Sequence, residues 1–154
     1  SFTNLGDKGG PVEIQLLHVE PDPIKLGGKI SLSYVIVVKT EIKACALDLV
    51  VEKKVMWSWW KVPCSKGLGS CSCSDLCRSD ITCPDLNKWI GLAQESCPVE
   101  PGALKKQDLI VDVPSAPFGS GWMASGSYRV NLKLTNPLDS KVIANYLIEI
   151  SLTT

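Results

Sequence analysis

Apolar side chains recur at every second position through four long stretches of this chain. Ile30, Leu32, Tyr34, Ile36 and Val38 share one side, with Ser31 and Ser33 opposite. Cys45, Leu47, Leu49 and Val51 alternate with Asp48 and Glu52. Tyr128, Val130, Leu132 and Leu134 alternate with Arg129, Asn131, Lys133 and Thr135. The last run sets Val142, Ala144, Tyr146, Ile148, Ile150 and Leu152 against Asn145, Glu149 and Ser151. Side chains leave a strand on alternate faces, so such runs call for half-buried antiparallel strands. Shorter candidates are residues 12–18, 57–62 and 109–113. Pro21-Asp22-Pro23, Gly27-Gly28, Gly119-Ser120-Gly121 and Asn136-Pro137 supply the turns between them. About seven strands with these breaks read as an all-β sandwich, barrel or open cup.

One segment departs from this pattern. Ser74 to Ala103 carries Cys77, Cys83 and Cys97 of the cysteine cluster, several prolines and little alternation. Within it Leu86, Trp89, Ile90 and Ala93 fall at helical spacing and predict a short helix over 85–94. The chain has 7 Cys, six of them between Cys64 and Cys97, which points to an oxidising compartment. Ser1 is no initiator Met and no signal-like apolar segment follows it, so the chain reads as processed and secreted. Cys71, Cys73, Cys77 and Cys83 could act as metal ligands, but their spacing lacks the paired C-x2-C knuckles of zinc modules. A thioredoxin-type C-x-x-C is also absent. Structural disulfides are the better reading, with the pairing left open by the spacings alone. Cys45 stands apart on the apolar side of its run, where a free thiol packs as a small hydrophobe.

Charge and residue content exclude several functions. With 16 basic and 16 acidic residues the formal net charge is zero, leaving no basic excess for binding nucleic-acid phosphates. The chain is 45% hydrophobic and 21% charged, too apolar to remain disordered. No apolar run reaches the roughly 18 residues of a membrane-spanning helix. His18 is the one histidine, and neither G-x-S-x-G nor H-E-x-x-H occurs. Glu20 and Asp22 alternate with Pro21 and Pro23, a setting for a turn rather than an acid–base pair. The chain is expected not to be an enzyme and to need no cofactor or metal.

The 5 Trp are the remaining unusual feature. Met56-Trp57-Ser58-Trp59-Trp60 holds three of them, bracketed by Lys53, Lys54 and Lys61. Indoles favour the headgroup level of a bilayer, and flanking lysines suit anionic headgroups. Phe118, Trp122 and Met123, around a Gly-Ser-Gly hinge, form a second candidate membrane-contact loop.

Taken in order, the residues resemble the GM2 activator family, sphingolipid activators within the MD-2-related lipid-recognition group. The matching segments are Glu20-Pro21-Asp22-Pro23-Ile24 and Asp48-Leu49-Val50-Val51-Glu52-Lys53. Trp59, Pro63-Cys64 and Gly69-Ser70-Cys71 follow. Cys77, Cys97-Pro98, Trp122, Gly126, Tyr128 and Arg129 then stand at the family's spacing. The resemblance implies an antiparallel β-cup, open and sandwich-like, with an apolar cavity and a disulfide-stapled loop and short-helix insertion, as one lipid-binding domain over 1–154. It implies the bridges Cys64–Cys71 and Cys77–Cys97; Cys73 and Cys83 are then paired with each other, leaving Cys45 free. The chain lacks the family's bridge between an N-terminal and a late Cys, and it has no N-x-S/T sequon.

With the alternating faces turned into such a cup, the cavity candidates are Leu32, Tyr34, Leu47, Leu49, Val51, Tyr128, Val130, Leu132, Leu134, Tyr146 and Ile148. The function implied is extraction of a glycosphingolipid or phospholipid from a membrane surface and its presentation to a soluble lysosomal glycosidase such as a β-hexosaminidase. A lysosomal or secreted location goes with it. Two other classes compete: a carrier of another small apolar ligand, such as a pheromone or pigment, and a membrane-active protein whose Trp loop is the effector.

Overall fold

A computed structural model describes residues 1–6, 9–65, 68–77, 83–91, 98–116 and 125–154. The strands are β1 (Phe2–Asn4), β2 (Val12–Glu20), β3 (Ile24–Lys25), β4 (Lys29–Val38), β5 (Ala46–Val55) and β6 (Ser58–Lys61). They continue as β7 (Ser72–Cys73), β8 (Gly102–Asp112), β9 (Gly126–Thr135) and β10 (Val142–Thr153), with one short helix, α1 (Leu86–Ile90), before β8. Two sheets result. The larger runs β1-β10-β9-β5-β6, with β3 on the end of β10 and β7 beside β5; the smaller runs β2-β4-β8. All pairings are antiparallel except β3 with β10. The fold is a two-sheet, cup-like β structure and not a closed barrel.

Register turns the alternation of the sequence into two apolar faces. Leu49 lies opposite Leu132 and Leu132 opposite Tyr146, while Val51, Val130 and Ile148 form the next row. Directly opposed residues share a face, so each row points into the space between the sheets. Asp48, Lys133 and Asn145 share the outer face, in contact with water. In the small sheet Ile30, Leu32, Tyr34, Ile36 and Val38 of β4 take the inner face.

Three departures from strict alternation have local causes. In β2 the ladder shifts between Ile14 and Leu16. That extra residue lets Val12 and Ile14, then Leu17 and Val19, all point inward although the sequence loses its period there. Leu16 is left outside, 47% exposed. A second shift between Val142 and Ala144 turns Val142 outward and brings Ile143 into the core. β8 begins seven residues before the expected start at Leu109, because Lys105-Lys106-Gln107-Asp108 hides a paired strand behind polar side chains. The helix is confined to Leu86–Ile90, with the Asp85 carboxylate accepting the Lys88 amide at 3.1 Å; the expected end at Gln94 lies outside the described residues.

Cys64 and Cys71 are bridged, as are Cys73 and Cys83, each pair with Cα atoms 4.9 Å apart. Cys77 is also disulfide-bonded, while its expected partner Cys97 lies outside the described residues. The loop closed by Cys64–Cys71 depends on Gly69, at φ 98°, where a Cβ would stand 2.2 Å from the Pro63 carbonyl oxygen. Cys45 is free and buried. Burial, reinforced by the Asp75 charge, pushes its thiol up to about 12.

The two sheets are tied across their interior by Tyr146, 2% exposed, whose hydroxyl accepts the Ile14 amide at 2.9 Å. Tyr146→Phe is expected to cost about 1–3 kcal/mol of stability, the range for a buried donor left without its partner. Urea unfolding measures it, and a loss near zero would assign the link between the sheets to packing alone. Because a neutral thiol is a poor nucleophile, Cys45 should resist alkylation at pH 8 in the native protein and react once urea unfolds it. Rapid labelling of the native chain at that position would contradict its burial.

Candidate functional site

In a filled sandwich, apolar side chains on the inner face of a central strand are shielded from solvent by the opposite sheet. Here Val130, Leu132 and Leu134 point inward from β9, flanked on both sides by other strands, and all three remain partly solvent-accessible. Leu49 of β5, Ile36 of β4 and Leu104 and Leu109 of β8 behave alike. Full burial is instead reached in separate patches. Val38, Ile42, Cys45 and Ile143 pack together at one end, and Val51, Val62, Tyr128 and Leu152 at the other. Leu47, Cys73 and Cys83 pack beneath the stapled insertion.

The interior opens into a cleft of about 960 Å³ where β2 and β4 of the small sheet approach β3 and β10 of the large one. Val19, Ile24, Ile30, Ile148 and Ile150 give it apolar walls, joined by Leu17 and Ile110. Ser1, His18, Glu20, Pro21, Asp22, Lys29, Ser31, Glu149 and Ser151 surround them. Lys29 Nζ stands 2.5 Å from Asp112 Oδ1, and this hydrogen-bonded contact holds the Asp112 carboxyl below the usual carboxylate range. His18 Nε2 and Glu20 Oε1 are 2.9 Å apart.

Of the cavity candidates read from the alternation, Ile148 lines this cleft. Leu49, Val130, Leu132 and Leu134 face the space between the sheets and stay partly accessible. Leu32, Tyr34, Leu47, Val51, Tyr128 and Tyr146 are buried in the walls. Burial pushes the Tyr34 and Tyr128 phenols up, keeping them neutral. The Tyr34 hydroxyl donates to the Ile90 carbonyl at 2.5 Å, so the end of α1 lies against the inner side of the small sheet. The cleft residues Ile30 and Ile150 were within reach of the sequence, since each continues an alternating run by one step. Leu17 and Val19 were hidden by the bulge in β2, and Ile24 by the two-residue length of β3.

β5 and β6 form a hairpin that projects beyond the same end, with Met56 at its turn in the left-handed region (φ 56°). Met56 and Trp57 are 82% and 94% exposed, and Lys54 and Lys61 are exposed beside them. The other two indoles part company. Trp59 lies opposite Lys54 on the outer face, with the Arg129 guanidinium 4.3 Å over its ring and Glu52 holding that guanidinium at 2.8 Å. Trp60 lies opposite Lys53 on the inner side and is 55% exposed. Lys53 is buried to 8% exposure with its ammonium 5.9 Å from the Tyr128 ring. Gly126 makes room for it, because a Cβ there would stand 2.8 Å from Lys53 Cε. No sequence pattern marked Lys53 as inward-facing apart from its odd-numbered place in the β5 run. Phe118, Trp122 and Met123 lie outside the described residues.

Among the described residues no three or more His, Cys, Asp or Glu side chains gather in a metal-ligand arrangement. No helix is long and apolar enough to cross a membrane.

Residues 6–144 match the ML domain family. The chain is 30% identical to the ganglioside GM2 activator of Macaca fascicularis over 149 residues, covering 88% of this chain and 75% of that protein. It is 30% identical to the ganglioside GM2 activator of Mus musculus over 146 residues, covering 88% and 74%. A Niemann-Pick type C2 protein from the Japanese carpenter ant shares the fold, with a TM-score of 0.53 at 12% identity over 99% of both chains. With 139 consecutive positions inside the family's bounds and two such relatives, the chain belongs to the ML domain family as a GM2-activator-like member.

Proposed function

We propose that this protein takes the acyl chains of one lipid into the space between its sheets and carries it between membrane and water. One observation bears most of the weight: inward apolar side chains on the central strand β9 keep solvent access, so the interior is walled but not filled. The adjoining cleft of about 960 Å³ lies at the upper end of the 300–1,000 Å³ usual for ligand sites. Each methylene shielded from water contributes about 0.8 kcal/mol, so a lipid tail in such a space is held strongly against escape into water. Moving that tail from bilayer to cup exchanges one apolar environment for another, and the exposed Met56 and Trp57 give the cup a place to touch the bilayer while it happens.

The relatives' name supports a glycosphingolipid as the cargo, and the same similarity supports presentation of that lipid to a soluble hydrolase such as a β-hexosaminidase, in the lysosomal lumen or outside the cell. The chain itself breaks no bond in this scheme and needs no cofactor besides the bound lipid.

Filling the space tests the carrier role. In a packed core Leu132→Trp would cost about 1–3 kcal/mol of stability by overpacking. In a hollow one the indole occupies the lipid's place. Uptake of fluorescent ceramide is then expected to fall about tenfold, equivalent to 1.4 kcal/mol, with the melting temperature near native. Loss of stability with unaltered uptake would refute the hollow interior.

Membrane contact is tested by co-sedimentation with vesicles containing anionic lipid. Lowering the pH from 7 to about 4.5 protonates carboxylates while the 16 Lys and Arg keep their charge, so the protein becomes cationic. Binding should therefore strengthen at acid pH and weaken with added salt. Replacing Met56 with Ser and Trp57 with Ala should reduce binding at both pH values. Unchanged binding by that variant would remove the hairpin tip from the mechanism.

A further inference from the structure

β2 ends the small sheet, with β4 on one flank and the cleft on the other. Along an antiparallel pair, residues that exchange both backbone bonds with the partner alternate with residues whose N–H and C=O point the opposite way. Lys39 N–H donates to the Pro11 carbonyl at 2.8 Å, so Pro11 and Glu13 belong to the set bonded to β4. Ile14 N–H is turned from β4 and donates to the Tyr146 hydroxyl. On the far flank of β4, Val113 N–H donates to the Gly28 carbonyl, which continues the even-numbered set that β4 gives to β8. The odd-numbered Val35, Ser33 and Ser31 therefore serve β2, opposite Leu16, His18 and Glu20 past the bulge. Leu17 and Val19 keep both backbone groups on the open flank, and both residues line the cleft. Among the described residues no hydrogen bond from the other wall meets them. The facing edge of β10 is covered instead. β1 pairs with its residues 146–148, Glu149 N–H donates to the Ser1 carbonyl at 3.0 Å, and β3 pairs with Leu152.

We infer that this bare edge of β2, at Leu17 and Val19, holds the polar linkage of the bound lipid and favours an N-acylated amino alcohol over a glycerol diester. The inference rests on the carrier reading and deepens it. Tails offer the walls only methylenes, which Ile24, Ile30, Ile148 and Ile150 accept from any lipid. The strand edge offers an N–H donor and a C=O acceptor at each of two residues, roughly 7 Å apart along the strand. A carbonyl covered by ligand and left unpaired loses the hydrogen bond it made to water. An amide N–H and a neighbouring hydroxyl supply the donors that such carbonyls require, and the hydroxyl oxygen can accept from a strand N–H. A diester brings acceptors alone, so it meets the N–H groups and leaves the carbonyls bare. A peptide strand would also match the edge of β2. Its second edge would then face the covered side of β10 without partners, whereas a lipid carries its polar linkage on one side and tails beyond it.

Galactosylceramide, its N-methyl amide and a galactosyl diacylglycerol of matched chains share a headgroup and differ at the linkage. Equal mole fractions of the three are placed in phosphatidylcholine vesicles at pH 7, and the lipids carried off by the native chain are quantified by mass spectrometry. Galactosylceramide should exceed each of the others about fivefold, the factor for one net hydrogen bond. Amide hydrogen exchange locates the contact. In the lipid-free chain Leu17 and Val19 should exchange faster than His18 and Glu20, whose N–H groups lie in the ladder. Loading with galactosylceramide should slow Leu17 and Val19 about tenfold and leave His18 and Glu20 as they were. Equal recovery of the three lipids, or Leu17 and Val19 already as protected as their neighbours, overturns the linkage site and leaves the carrier reading intact. Exchange at both residues that ignores loading does the same. Recovery of no lipid overturns the carrier reading and this inference with it.

Discussion

Everything in this molecule depends on two apolar sheet faces that must be covered without being filled. A conventional sandwich gains its stability by interdigitating the side chains of its inner faces at crystal-like density. Here the central rows stop short of that, and unfilled apolar surface forfeits about 25 cal/mol for each Å² not removed from water. The structure offsets this at its margins. Val38 and Ile143 close one end, Val51, Val62, Tyr128 and Leu152 pack together beside the cleft at the other, and the insertion bridged through Cys73–Cys83 covers a flank. The Tyr146 hydroxyl spans the gap where side chains do not fill it. A cup of this design is stabilised by its walls and staples more than by its centre.

The open end gathers several unrelated chemical features. The cleft, the buried Lys53 beside Tyr128, the half-exposed Trp60 and the bare tip of Met56 and Trp57 all belong to the ends of β4, β5, β9 and β10 that face one way. In the proposed carrier role, membrane contact and ligand entry share one surface, which keeps a lipid tail out of water along its whole route. Trp59 contributes differently from its neighbours. Stacked under Arg129, which Glu52 fixes in turn, it braces the outer face of the hairpin at its base and leaves the tip to reach outward.

How much of this could be read from residue order depends on whether the signal was periodic. β4, β5, β9 and β10 announced themselves because side-chain alternation and strand geometry have the same period. β8 did not, since Lys105 and Lys106 pair with β4 on the exposed edge of a small sheet, where polar residues are no penalty, and Gln107 and Asp108 fall at a shift in the ladder. β2 was recognised but its inward residues were not, because one bulge reverses the parity midway. Val142 was placed on the wrong face for the same reason.

The sequence by itself determined that this chain makes antiparallel strands with one apolar face each and a cysteine-rich interruption, and its ordered matches carried the family. Those properties are local, set by period, turn chemistry and residue type. Whether the apolar faces close on one another or stand apart was a matter for the tertiary structure, because the distance between two sheets depends on which side chains meet across it and on what clamps their edges. The same holds for the two neighbouring indoles Trp59 and Trp60, adjacent in sequence yet placed on opposite faces. It holds also for Glu20 and Glu149, which stand 129 positions apart in the chain and line one cleft only because β2 folds back against β10.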